Sequence, residues 1–176
     1  MRPYLLLVVL VACTTSFAQI PLHGAPHRDA SRNVVNRYIR MDYEGFRLSK
    51  ESWPRIKALT TWKDNPEWQA FTVISHYEVL SSTEGLRGAN VSVAYAVLGR
   101  FEPGLGYTAE PGREEVSFIL KDVDGEWKID ELDPTINPHV SKTRAIAWMK
   151  TTLATEKDAV NKFVLQQALK QLGATP

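Results

Sequence analysis

The chain is 176 residues long, 44% hydrophobic and 23% charged, with 21 Lys and Arg against 20 Asp and Glu. That length suits one domain with a sizeable core, and a net charge of +1 lacks the basic excess on which nucleic-acid binding rests. A single cysteine excludes an internal disulfide framework and a thiolate zinc cluster.

The N-terminus reads as an export signal. Met1-Arg2-Pro3 precedes an apolar run from Tyr4 to Cys13, and Ser16-Phe17-Ala18 supplies a small-x-small cleavage pattern. The run is shorter than the about 20 apolar residues that a membrane span needs. The expectation is a signal peptide over 1–18 and a periplasmic or secreted protein. The alternative takes Leu10-Val11-Ala12-Cys13 as a lipoprotein box, with the membrane reached only through a lipid on Cys13. Residues 19–28 contain Pro21, Gly24 and Pro26 and read as a flexible leader. His23 and His27 have a helical metal-binding spacing, but these residues break the helix it requires, so no metal is assigned.

Residues 29–60 carry a helical pattern. Asp29 and Ser31 are candidate N-caps, and Val34, Val35, Tyr38, Ile39, Asp42 and Phe46 recur at spacings of three and four. Gly45 can end that helix. A second starts at Ser49 or Ser52 with Pro54 in its first turn, and Ile56, Leu59 and Trp62 form its apolar edge. Residues 63–70 read as a loop.

Residues 71–132 switch to a period of two. Phe71, Val73, Ser75, Tyr77 and Val79 are expected on one face, against Thr72, Ile74, His76, Glu78 and Leu80. Val91, Val93, Tyr95, Val97 and Phe101 share a face of the second strand, and Val116, Phe118 and Leu120 one of the third. Two Glu-Pro-Gly triplets, at 102–104 and 110–112, fence a long loop between them. Asp124-Gly125 marks a tight hairpin turn, preferred over a fragment of a calcium loop because the spaced ligands do not follow. Trp127 and Ile129 share a face of the last strand.

Asp133-Pro134 and Asn137-Pro138 are expected to stop the sheet. Ser141 can cap a helix holding Ala145, Ile146, Met149 and Leu153. Thr155 can cap another, whose apolar face is Val160, Phe163, Val164, Ala168 and Leu172 and which Gly173 closes.

Helices first, then an antiparallel meander ending in the hairpin from Val116 through Asp124-Gly125 to Trp127-Lys128-Ile129, resembles the nuclear-transport-factor-2-like superfamily, the cystatin-like cone. The resemblance covers about 29–132. It implies an α+β fold in which N-terminal helices pack on a bent antiparallel sheet, with a pocket between them. The domain reading is a cone-type α+β domain over 29–137 and a C-terminal helical extension over 138–176, the latter departing from the minimal cone.

With the more apolar sheet face concave, Tyr77, Tyr95, Phe118 and Trp127 line the pocket beside Phe71, Val73 and Val93, and Tyr38 and Asp42 face it from one turn of the first helix. These six, Tyr38, Asp42, Tyr77, Tyr95, Phe118 and Trp127, are the candidate ligand-binding residues. The competing reading is a filled core whose tyrosine hydroxyls find local partners. Members of the superfamily that act as isomerases or cyclases use carboxylates, often with a tyrosine, in an apolar cavity that raises the carboxyl pKa. Here only Asp42 is placed to serve, with Tyr38 polarising substrate, and the ordinary role for a lone carboxylate there is a solvated or capping-type contact. Ile74, Ala94, Ala96, Leu98 and Ile119 make the outer face too apolar to be fully wet, so the C-terminal helices or a second subunit should cover it. The first functional expectation is an exported, non-catalytic domain, without cofactor, binding a small apolar ligand, a protein partner or a second copy of itself. The alternative is an isomerase- or dehydratase-like enzyme with Asp42 as acid or base.

Overall fold

A computed structural model describes residues 29–85, 88–133 and 137–176. The expected signal peptide over 1–18, Cys13 and the expected leader with His23 and His27 lie outside them. Helix α1 spans Ala30–Tyr43 and buries Val35, Tyr38, Ile39 and Asp42, the stripe its spacing predicts. Asp29 stands at its N-cap without a side-chain bond, while Ser31 lies inside the first turn, where Glu84 Oε1 accepts its N–H at 3.0 Å. Gly45, at φ +78, takes the left-handed conformation that turns the chain out of α1. Two 3₁₀ turns, Phe46–Leu48 and Lys50–Ser52, lead into the short α2, Trp53–Lys57, with Pro54 in its first turn.

The sheet holds β1 Phe71–Gly85, β2 Gly88–Glu102, β3 Gly106–Thr108, β4 Gly112–Val123, β5 Glu126–Asp133 and β6 His139–Ser141. Its order is β5-β4-β2-β1-β6, with β3 also on β2. It curls strongly into a half-barrel against which the N-terminal and C-terminal helices pack, an α+β cone. The β4–β5 hairpin turns at Asp124 and Gly125, at φ +55 and +85, and Asp122 Oδ1 accepts the Gly125 N–H at 2.7 Å. The exit from α2 hooks onto the β5 edge: Ile129 N–H donates to the Leu59 carbonyl, and Thr61 N–H to that of Ile129, both at 2.9 Å.

Several expectations are corrected. The loop fenced by the Glu-Pro-Gly triplets contains β3. The sheet does not stop at Pro138: its carbonyl accepts the Thr72 N–H at 2.8 Å, and His139–Ser141 then pairs parallel to Thr72–Ile74. A proline removes a donor but keeps its acceptor, and here the acceptor starts the new ladder.

The two faces of β1 and β2 also differ from a strict period of two. Register shifts at Val73/Ile74 and Ile74/His76 move side chains between faces. Phe71, Val73, Leu98 and Phe101 therefore pack toward the C-terminal helices, whereas Ile74, Tyr77, Val79, Val93, Tyr95 and Val97 pack toward α1. Opposite Val73 sits Gly99, where a Cβ would run into the Thr108 carbonyl and the Tyr107 ring. The five residues expected to share the outer face do not share it. Ile74 is buried under α1, Leu98 joins the C-terminal core, and Ile119 is 36% exposed.

Helix α3, Lys142–Thr155, is capped by Ser141, whose Oγ accepts the Arg144 N–H at 3.3 Å. Helix α4, Ala159–Gln171, is capped by Asp158 rather than Thr155, because Thr155 is still the last residue of α3 and its hydroxyl donates back to carbonyls there. The buried stripe of α4 is Leu165, Ala168, Leu169 and, just beyond it, Leu172. Val160 and Phe163, expected inside, are 67% and 60% exposed.

Two cores result. One lies between α1 and the sheet around Tyr38, Ile39, Val93, Tyr95 and Phe118. The other, between the sheet and α3–α4, holds Phe71, Phe101, Val140, Met149 and Leu169.

Candidate functional site

The first core contains a group of polar side chains at its rim. Tyr38 and Asp42 sit one turn apart on the buried face of α1, at 1% and 2% exposure. The turn at Gly45 brings Arg47 back over that face, where its Nη1 donates to Tyr38 Oη at 3.2 Å. Strand β6 supplies His139, whose backbone N–H donates to Asp42 Oδ2 at 2.9 Å. The His139 ring stacks on Tyr95 with centroids 4.0 Å apart and planes 13° apart, and its Nε2 lies 3.2 Å from Glu114 Oε2.

Burial pushes the Asp42 carboxyl above its ordinary value, against the charge of Arg47 and the His139 N–H. Burial opposes the charge on Arg47 as well, but Tyr38 and Asp42 beside it more than offset this and hold its pKa up. The hydrogen bond with His139 holds Glu114 below the usual glutamate value. Burial raises the Tyr38 and Tyr95 hydroxyls. Three polar atoms of this group lack a hydrogen-bond partner in the protein: Asp42 Oδ1 and Arg47 Nε and Nη2. Asp42 and Arg47 thus interact through their charges without sharing a hydrogen bond.

Arg47 also belongs to the wall of an open cleft of about 540 Å³, with Leu48, Lys50, Trp53, Asn65, Pro66, Glu67 and Trp68. The Trp68 indole N–H is held by the Arg47 carbonyl at 3.1 Å. Asn65 Oδ1 is buried without a partner.

Comparison with protein-family models, curated proteins and solved structures finds no match. The site is therefore read from its own residues.

The six expected ligand residues separate. Tyr38, Tyr95 and Phe118 are about 1% exposed and fill the core, Tyr38 meeting Trp62 and Phe118 edge-on at 6.0 and 5.7 Å. Tyr77 is half-buried between Tyr43 and Tyr95. Trp127 lies apart, in a second cleft of about 450 Å³ with Val34, Arg37, Glu126 and Lys128. Asp42 is not solvated. It acts as a cap, but for the backbone of a distant strand.

Arg47, Glu114 and His139 were not among the residues singled out by sequence. Glu114 had a signal, since it shares strand parity with Val116 and Phe118 and so points inward. His139 had none, because its position depends on a strand that begins after a proline. Among the described residues no cluster of three metal-ligating side chains occurs.

Proposed function

We propose that this chain is an exported ligand-binding domain of the nuclear-transport-factor-2-like kind that does no chemistry on what it binds. The observation that carries this reading is where space is found. The volume between α1 and the sheet is occupied by Tyr38, Tyr95 and Phe118, whereas the cleft walled by Arg47, Lys50, Trp53 and Trp68 is open and of ligand size. Binding sites typically combine apolar or aromatic walls with a few fixed polar groups, and this wall has that composition. The ligand seat then lies at the α1–α2 end of the cone rather than under the sheet.

Native mass spectrometry of the protein purified from its own host tests the reading. A retained small molecule, lost on mild activation and chemically unchanged on incubation, is the expected result. A bare polypeptide, or one that turns the molecule over, contradicts it.

One observation favours the enzymatic alternative. Asp42 is buried, its carboxyl pKa is raised, and Oδ1 is unpartnered beside Tyr38, the environment that suits a general acid or base. Turnover that survives intact in an Asp42→Asn protein would remove that alternative.

A further inference from the structure

Resting on the binding reading above, we propose that the cleft takes a neutral oligosaccharide, a sugar ring lying on the indoles of Trp53 and Trp68 and its hydroxyls meeting Lys50 and Glu67. These are groups that solvent already reaches. Lys50 and Glu67 are exposed, and Trp53 and Trp68 are half-buried in the wall. Among the described residues, none of the Lys50 ammonium, the Glu67 carboxylate and the Trp53 indole N–H has a hydrogen-bond or ion-pair partner.

The indoles supply a fixed apolar surface beside those polar groups. Trp68 commits its N–H to the Arg47 carbonyl and meets Phe71 and Trp148 edge-on at 5.9 and 6.0 Å, so its ring is held in place and what it adds to the cleft is carbon. Trp53 is braced from behind by the α1 core. A pyranose fits such a wall, because its C–H face is apolar and its hydroxyls both donate and accept. A wholly apolar ligand would strip water from Lys50, Glu67 and the Trp53 N–H without replacing their hydrogen bonds.

Charge selects a neutral ligand. The Arg47 guanidinium is turned into the α1 core toward Tyr38, and its remaining nitrogens are closed to solvent, so it offers the cleft no donor. What remains on the wall is Lys50 against Glu67, with Glu51 close to Lys50, so no positive excess awaits an anion. Both wall charges are exposed, where pairing with a charged ligand gains little and hydrogen bonding to hydroxyls is what they add.

The test uses the full chain and follows the indole N–H resonances of its five tryptophans. The probes are three neutral trisaccharides (cellotriose, maltotriose and triacetylchitotriose), the zwitterion phenylalanine and the apolar amide 2-naphthamide. At least one trisaccharide should shift Trp53 and Trp68 saturably, leave Trp62 and Trp127 in place, and bind about tenfold or more tighter than phenylalanine or the amide. Raising the salt to about 0.5 M should change that affinity by no more than about twofold. Glu67→Ala, a change at an exposed side chain, should weaken it about three- to tenfold. Phenylalanine or the amide binding at these tryptophans as tightly as the best trisaccharide, or a tenfold loss in salt, overturns the saccharide while the binding reading stands. An affinity unmoved by Glu67→Ala overturns the assigned contacts. No shift at either tryptophan with any probe overturns both the assignment and the placement of the ligand seat.

Discussion

The two cores that flank the sheet differ in kind. Around α3 and α4 the contacts are apolar and aromatic. Phe71 stacks on Phe101 at 5.1 Å, and Trp148 meets both edge-on at 5.5 and 5.8 Å. Around α1 the core is equally dry in its centre but carries Tyr38, Asp42, Arg47, Tyr95, His139 and Glu114 along one rim. A domain that needed only stability would repeat the first solution, since buried charged groups are often replaceable by well-packed apolar residues without loss. The difference fits the proposed ligand seat on the α1 side, with a structural task for the C-terminal helices. They complete the sheet's other face and carry β6, which brings His139 to Asp42.

The largest expected effect breaks the comparison on its apolar side. Phe101→Ala should cost about 3–5 kcal/mol in denaturant unfolding, by transfer and cavity terms together. A loss under about 1 kcal/mol would show that the C-terminal core is not close-packed.

Asp42 sharpens the other side. Asp42→Ala orphans the His139 N–H and should cost about 2–3 kcal/mol, whereas Asp42→Asn keeps an acceptor and should cost no more than about 1 kcal/mol. Equal losses for the two would mean that charge rather than the hydrogen bond ties β6 to α1.

The rim should also give stability a pH dependence with two limbs of opposite sign. Asp42 is raised above the ordinary 3.8, so as pH rises past that value the unfolded chain releases a proton that the folded one retains. Its contribution is complete below 3.8 and is lost as pH climbs toward the folded pKa. Glu114 is held below the ordinary 4.5, so its contribution is complete above 4.5 and is lost as pH falls through the folded value. Between pH 3 and 7, Asp42→Asn should flatten the loss of denaturant midpoint that accompanies rising pH, and Glu114→Gln the loss that accompanies falling pH. Unchanged limbs in both variants would remove the rim from the pH response.

Smaller effects are expected away from both cores. Gly125→Ala, at φ +85 in the hairpin turn, should cost about 1 kcal/mol. Val160→Ser and Phe163→Ser, on the exposed face of α4, should stay within about 0.5 kcal/mol. A larger loss at Phe163 in purified protein would reveal a covering partner on that face.

Much of the fold was legible because local chemistry and global packing agree in it. The stripe of α1, the turn at Asp124-Gly125, Pro54 at the start of α2 and the Ser141 cap all follow from residues within one or two turns. What was not legible depends on contacts distant in sequence. Strand β6 forms because the Pro138 carbonyl meets Thr72, and the face switch of Phe71 and Phe101 depends on register shifts that alternation alone cannot place. The site divided in the same way. Tyr38 and Asp42 were visible as a helical pair, but their partners arrive from a loop after Gly45, from β4 and from β6. An arginine beside a left-handed glycine carries no signal of burial until the fold returns it to the helix it left.

The central claim is that a ligand seats in the cleft walled by Lys50, Trp53 and Trp68 and not in the filled volume between α1 and the sheet. Native mass spectrometry of the full chain and of Trp53→Ala, each purified from the protein's own host, tests it most directly. A small molecule retained by the full chain and lost from the variant is the expected result. A molecule retained equally by both would contradict it.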